Sequence, residues 1–457
     1  MTLTLPNQYD FLGRFFRLAL VNVLSNIMVP LASTLSVMFL GHLEDIHHLA
    51  GVALAGTLLG CLYGVFLFLR MGTTGLTAIA VGRDDREEVL LVGLRNGLIA
   101  LVLGVAIVLL QYPLQVLGFS LLDTAYEIKA SAIACFNAQI WGTPAVLLNF
   151  VLLGWFLGRE HNGKVLLLSF ISNVANIALD YILIVRWDWA STGAGLSQSV
   201  SQYLTFLGGL IFLCLDIKWQ EVRAVGGKIW DTSAIKATIT LNGNLFVAHF
   251  VLIVAFLIFN YQSAALGTTI YAQNALLLQI VFLCNYGFEG VGFGVETLSG
   301  NFKGKGANEQ LGPLLGIATS TSLLVGLTIA ELCILFPMTV FGLLTNHTEL
   351  IEHINSYVPW LFPVIGSESI YCILIGYFSG LAQGHTVRNG ALIGTFFGFA
   401  PVAIAAYWFH SNHILWLALS LWSVTAVVAF GVQLPRTFRS DVGDSSVSLK
   451  ALEESLK

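Results

Sequence analysis

The chain has 457 residues, 56% of them hydrophobic and only 10% charged, where a soluble chain of this length would carry about a quarter charged residues. The mean hydropathy of +0.81 excludes a soluble globular protein, and a formal net charge of −5 offers no basic footprint for nucleic acid, which is not expected as a partner. The expected partner is the lipid bilayer: a helical span needs roughly 20 apolar residues, and the apolar stretches are too long for barrel strands, which alternate with period two.

Twelve spans are expected, centred near residues 27, 60, 99, 142, 175, 204, 248, 282, 323, 365, 397 and 423. With the N-terminus inside, eighteen of the 21 Lys and Arg fall on the inner side, only Lys129 and Arg186 fall outside, and Arg70 lies within span two. The positive-inside rule then puts both termini in the cytoplasm, as expected for a multi-pass protein of the cell inner (plasma) membrane. No cleavable leader is evident, so the first span is expected to act as its own anchor.

In chain order, span one carries Pro30, a candidate hinge, because a proline removes a backbone donor and can kink its helix. Pro144, Pro359 and Pro363 are expected to interrupt later spans in the same way. In span two, Arg70 lies 13 residues before Arg83, roughly 20 Å above the inner charge layer. Arginine stays protonated, so it calls for a buried acid or a ring of carbonyls, and Asp180 and Glu289 are the candidate partners. Span five places Asn173, Asn176 and Asp180 on one helix face. Such a set of oxygens suits a sodium ion, and a lone buried carboxylate suits a proton; a polar stripe joining helices is the alternative.

The polar stretch Asp216–Asp231 divides the chain near its middle. Residues 219–232 are read as a cytoplasmic linker between an N-terminal six-helix lobe, 1–218, and a C-terminal one, 233–435, with 436–457 as a cytoplasmic tail. In span eight Glu289 and Glu296 share a face; Glu296, near Lys303, reads as interfacial and Glu289 as deeper, while Glu368 of span ten is the other deep acid. A charge near the bilayer centre costs at least about 2.5–3.5 kcal/mol, so each calls for a role.

The chain is also written twice. Pro113, Gly118 and Gly154-Trp155-Phe156-Leu157-Gly158 return as Pro337, Gly342 and Gly376-Tyr377-Phe378-Ser379-Gly380. An internal repeat in an all-membrane chain is the mark of a secondary transporter. Six spans per half means both halves enter from the same side, with a pseudo-two-fold axis along the membrane normal. Matching Gly82 with Gly300 puts Glu289 one residue from the counterpart of Arg70.

Six cysteines sit singly in spans and read as small apolar packing residues. His42, Glu44, His47 and His48 share one short outer loop without a supporting acid network, and no metal or other cofactor is expected. Asn346-His347-Thr348 is a glycosylation sequon on the outer side. No hydrolase, zinc-protease or Walker motif is present, so any pumping would draw on an ion gradient.

The runs Val29-Pro30, Phe39-Leu40-Gly41-His42-Leu43, Phe68-Leu69-Arg70-Met71-Gly72-Thr73-Thr74-Gly75-Leu76-Thr77, Asn173–Asp180 and Glu289-Gly290 resemble the multidrug and toxin extrusion (MATE) family, in its DinF-like branch. The resemblance covers essentially all twelve spans. It implies two six-helix lobes around a V-shaped cavity, and export of organic cations or amphipathic compounds against inward proton or sodium flow. The branch usually carries an aspartate four residues before the Leu-Gly-His run, where this chain has Ser36; a threonine of span six aligns with Gln198. Asn176 and Asp180 match.

The expectation is therefore an all-α polytopic membrane protein, not an enzyme, that exports organic small molecules by alternating access. It is expected to work as a monomer coupled to protons, with sodium the lesser choice. Asp180, Asn176, Asn173, Ser36 and Gln198 would hold the coupling ion or the substrate's cationic group, with Arg70, Glu289 and Glu368 setting the cavity field. An uncoupled metabolite or lipid-precursor carrier is the alternative. An intramembrane enzyme would need a catalytic pair inside spans, and a scaffold would not need buried acids in both halves.

Overall fold

A computed structural model of the chain describes residues 9–41, 45–120, 125–344 and 353–438. His42, Glu44, the sequon at Asn346–Thr348 and the tail from residue 439 lie outside the described residues. Among the described residues every regular element is helical. The twelve spans are Leu12–Gly41, Ile46–Gly82, Arg86–Leu109, Tyr126–Gly158, Asn162–Arg186, Ala190–Asp216, Thr232–Ala265, Thr268–Lys305, Asn308–Leu335, Val358–Gly380, Gly384–Phe409 and Asn412–Phe438. Every expected centre falls inside one of them.

Local chemistry explains where these helices start. The carboxylates of Asp45, Asp85 and Asp231 accept from the backbone N–H groups of His47, Glu88 and Ser233, each at 2.9 Å, and so cap donors that a helix leaves unpaired. Pro144 and Pro359 do not break helix interiors. Pro144 opens the second half of span four after a tight turn at Ile140–Gly142, and Pro359 lies in the turn Val358–Trp360 that begins span ten. A missing N–H is harmless at a first turn. Pro30 does sit inside a helix, Leu12–Gly41, which continues through it, with Thr34 Oγ1 donating to the Pro30 carbonyl at 2.9 Å.

Backbone detail reveals the repeat more sharply than the sequence does. Asp84 and Glu160 adopt left-handed conformations in the first half, and Gly306 and Ala382 do so in the second. The next residue in each case closes the same helix-ending loop: Asp85 N to Ala80 O and His161 N to Phe156 O are answered by Ala307 N to Phe302 O and Gln383 N to Phe378 O. This is the Schellman pattern, repeated at one constant spacing along the chain. Close helix crossings follow it: Gly154 lies against the Arg70 carbonyl and Gly158 against that of Thr74, while Gly376 lies against Gly292 and Gly380 against Glu296. In this register Gly82 corresponds to Gly304, not Gly300. The counterpart of Arg70 is then Gly292 and that of Thr74 is Glu296, which corrects the depth match drawn for Glu289.

The halves meet chiefly where span eight packs along span one and the second part of span two. No water-exclusion force drives helices together in lipid, so close backbone approach at small residues is what supplies contact. Gly82 faces the Gly304 backbone, and Gly75 faces that of Ser379 and Gly380. Polar bonds between the halves run from mid-span toward the side that carries the chain ends: Asn26 donates to the Tyr286 carbonyl at 3.1 Å, Thr297 to that of Leu157 at 3.4 Å, Asn242 to Asn96 at 2.9 Å and Arg14 to Asn301 at 3.3 Å. Arg14 also pairs with Glu160. The stretch between spans six and seven, with a short helix at Trp219–Val225, is held to the start of span three. Buried Arg95 donates to the Lys228 carbonyl at 2.9 Å, and Lys228 pairs with Glu87 at 2.6 Å.

On the opposite side, Asn274 is the centre of a buried network in the second half. It donates to Ser263 and to Asn412, each at 2.7 Å, and its carbonyl accepts from Asn412 at 2.9 Å and Trp416 at 2.8 Å. Asn274→Leu strands several polar groups away from water. We expect a loss of about 2 kcal/mol, read as a lowered midpoint in detergent thermal unfolding, with ligand affinity per folded molecule unchanged.

Candidate functional site

Span five ends its regular α-helix at Asp180, and the turn that follows, Tyr181–Arg186, is π-helical. Wide turns of this kind gather at functional sites because they re-aim a side chain at the cost of a regular bond. Asp180 is 1% exposed. Its two carboxylate oxygens accept from the hydroxyls of Ser36, in span one, and Ser197, in span six. Asn176 Nδ2 in turn donates to Ser197 Oγ at 3.3 Å. Asn173 Nδ2 donates back to its own helix at Ser169 O, 2.7 Å.

The structure brings Ser36, Asn173, Asn176, Asp180 and Gln198 around one cavity of about 530 Å³, together with Cys135 and Gln139. Asp180 is the acid on its wall. A second cavity of about 310 Å³ shares Val29, Asn173, Asn176 and Gln198 with the first and continues to Arg70, Ser25, Asn149 and Gln202. The two therefore form one cleft within the first half of the chain.

Sequence reasoning missed Ser197 and named its neighbour Gln198 instead. A signal was present. Asp180 and Ser197 lie eight and nine residues on either side of Asp188, at the turn between spans five and six, and positions equidistant from a helical hairpin's turn face each other. Ser36 donates at the position where the resembling branch usually carries an aspartate, so a hydroxyl proton, not a negative charge, faces Asp180. Ser197→Ala removes a donor to Asp180 and the acceptor of Asn176. We expect the affinity of the cleft for a cation to change about 3- to 10-fold at unchanged fold, read by equilibrium binding to detergent-purified protein.

The other charges are arranged differently from expectation. Arg70 forms no ion pair with Asp180 or Glu289. Its guanidinium lies over the Phe293 ring, 3.7 Å from the centroid, and an aromatic face stabilises a buried cation without an acid. Glu289 and Glu368 do come together, but on a separate, smaller cavity of about 100 Å³, walled mainly by the second half with His249, Asn285 and Tyr371 and closed by Leu67 and Met71 of the first. Glu296 is not interfacial: it is 0% exposed, and neither carboxylate oxygen has a partner. The long helix Thr268–Lys305 carries it into the contact between the halves. His48 is engaged in packing, with Nδ1 at 2.8 Å from Ser191 and 3.2 Å from Ser131. Among the described residues no group of three acids, histidines or cysteines is placed to hold a metal.

Chemically, the cleft offers one carboxylate held by hydroxyls, a row of amides and one guanidinium. It can bind a proton or cation at one end and polar groups along its length.

Comparison with known proteins gives the family and the fold. The MatE family model matches the chain twice, over residues 22–182 and 245–405. The chain is 30% identical over 412 residues to the DNA damage-inducible protein F of Escherichia coli, covering 89% of this chain and 88% of that one. It is 22% identical to a probable multidrug resistance protein NorM of Thermotoga maritima, covering 91% and 84%. Among solved structures, one described as the outward-facing conformation of a multidrug resistance MATE family transporter of the MOP superfamily superposes with a TM-score of 0.84 at 18% identity, covering 93% of this chain and 95% of that one. Another, a MOP superfamily transporter from Pyrococcus furiosus described by the reverse polarity of its binding pocket, gives 0.83 at 17% identity, with the same coverage.

Proposed function

The chain belongs to the MatE family, whose members are membrane transporters and not enzymes, and from that premise we propose that it exports organic small molecules, cationic or amphipathic, by alternating access driven by inward proton flow. The multidrug resistance names of its relatives support the substrate class. The observation that carries the reading is Asp180: a buried carboxylate on a cleft wall, accepting from Ser36 and Ser197.

A buried anion in a bilayer is costly, and a proton or an organic cation would relieve that cost. Both need the same carboxylate, so binding of one opposes binding of the other. That competition is enough to couple two fluxes in opposite directions. A proton is favoured over sodium because sodium affinity rises with the number of charged ligands, and Ser36 supplies a hydroxyl where a second acid would stand. The two six-helix units, residues 1–218 and 233–435 joined by the linker, would rock about the glycine-rich contact. The contacts on the chain-end side would then close the cytoplasmic face while the cleft faces outward. Both termini lie in the cytoplasm in this reading, the protein sits in the inner membrane, and one chain is the working unit. Glu289 and Glu368 would shape the field of the second half, and Pro30 would let span one bend during the cycle.

The test is flux of a fluorescent organic cation in liposomes of purified protein under an imposed pH or sodium gradient. Accumulation driven by the pH gradient supports the proposal. Flux that follows only the dye's own gradient overturns coupling and leaves an uncoupled carrier.

A further inference from the structure

We propose that the Arg70 end of the cleft is a subsite for an oxyanion, the carboxylate, sulfonate or phosphate ester of an amphipathic organic molecule whose cationic end lies toward Asp180. For Asp180 this rests on the function proposed above; for Arg70 it goes beyond it.

Arg70 is 9% exposed, and its Nε has no partner. No hydrogen bond from its guanidinium and no ion pair is formed among the described residues. Arg70 nevertheless lines the 310 Å³ cavity. The acids that act on it through space, Glu296 and Glu289, belong to the other half of the chain and make no hydrogen bond to it. The Phe293 ring carries the guanidinium on one face, and Phe293 also lines the cavity that holds Glu289.

A guanidinium has five donors in a planar fork, and leaving them unmet in a buried site is costly. Among the described residues the cavity wall holds no acid to meet them. It offers Ser25, whose buried hydroxyl is also unpartnered, and the amides of Gln202 and Gln198, while Asn149 Nδ2 already donates to Gln202 O and Oε1 at 2.9 and 3.0 Å. Glu296 and Glu289 act on the guanidinium only through space and neither lines this cavity, so its donors are free to meet an oxyanion there, which arginine's fork matches bidentately. Spacing fits as well. The shared wall at Asn173 lies about 10 Å along the helix from Asp180, and the cavity reaches Ser169, about 16 Å away. One extended amphipathic molecule can touch both ends.

The test uses two fluorescent xanthene dyes that differ only in one group: a zwitterion with a free benzoate and its cationic methyl ester. Equilibrium binding to detergent-purified protein is measured without any gradient, so coupling does not enter. Wild type is expected to bind the acid at least as tightly as the ester. Arg70→Gln should weaken the acid about 10-fold or more while changing the ester less than about 2-fold, and Arg70→Lys should recover part of the loss. If Arg70→Gln weakens both dyes equally, or neither, the subsite is overturned. If Arg70→Gln does not fold, wild type decides: free benzoate should displace the acid dye and not the ester, and equal displacement overturns the proposal. Native mass spectrometry that finds a phospholipid retained by wild type and lost in Arg70→Lys would assign the guanidinium to a lipid and overturn a cargo role. Asp180→Asn separates the two readings: it should weaken both dyes, and if it weakens neither, the function proposed for Asp180 fails whatever Arg70 does.

Discussion

Asp180→Asn is expected to abolish gradient-driven accumulation while leaving the protein folded and membrane-inserted. The substitution keeps the shape and leaves a carbonyl oxygen that still accepts from one of the two hydroxyls, Ser36 or Ser197. Among the described residues it removes the one carboxylate on that cavity wall. Insertion should become easier, because an uncharged amide is cheaper in the bilayer than a carboxylate. Stability therefore stays within about 1 kcal/mol of wild type, and the loss is one of coupling. The expected result is flux that no longer responds to an imposed pH gradient, falling by at least about 10-fold toward the passive rate. Asp180→Glu keeps the charge but moves it outward by one methylene, and it should retain part of the response.

Gly304→Val is expected to disable the conformational cycle from the far side of the molecule. A side-chain carbon at Gly304 would meet Gly82 Cα at 2.9 Å and the Arg83 nitrogen at 3.1 Å. Both are backbone atoms, so no side chain can turn aside. Overpacking of this kind costs about 1–3 kcal/mol. Here it is avoided if the halves separate, so the cost falls on the closed state alone. A penalty of that size shifts a two-state equilibrium by roughly 5- to 150-fold. Spin labels at Asp84 and Arg388 on the chain-end side should report a longer separation, and transport should fall by at least 10-fold with normal yield. An unchanged separation with full transport would mean that the Gly82–Gly304 contact is incidental.

The membrane architecture was legible because the bilayer imposes it: every span must be long, apolar and internally bonded. Asp180 stood out for the same reason, as an acid in such a span beside two amides at helical spacing. Ser197 did not stand out, because a serine in a transmembrane helix is ordinary and only the hairpin between spans five and six turns it onto Asp180. Arg70 was expected to find an acid. An aromatic ring from the other half took that place, and nothing local to span two indicates which residue of span eight it meets. Glu296 was misjudged by its distance from Lys303, since chain distance measures depth in a straight helix but not how far the other half covers it. The repeat was visible, but its register was not. Several glycines could be paired with Gly82, and only the matched left-handed turns at Asp84 and Gly306, and at Glu160 and Ala382, select Gly304.

The central claim is that proton and cargo compete for Asp180. It is tested most directly by measuring proton release when a cationic dye binds to purified protein in weakly buffered detergent solution. The prediction is that wild type, held at a pH where Asp180 is protonated before binding, releases about one proton per dye bound, and that Asp180→Asn releases none. Wild type that binds the dye with no proton released at any pH, or an Asp180→Asn protein that releases as many protons as wild type, would contradict the account.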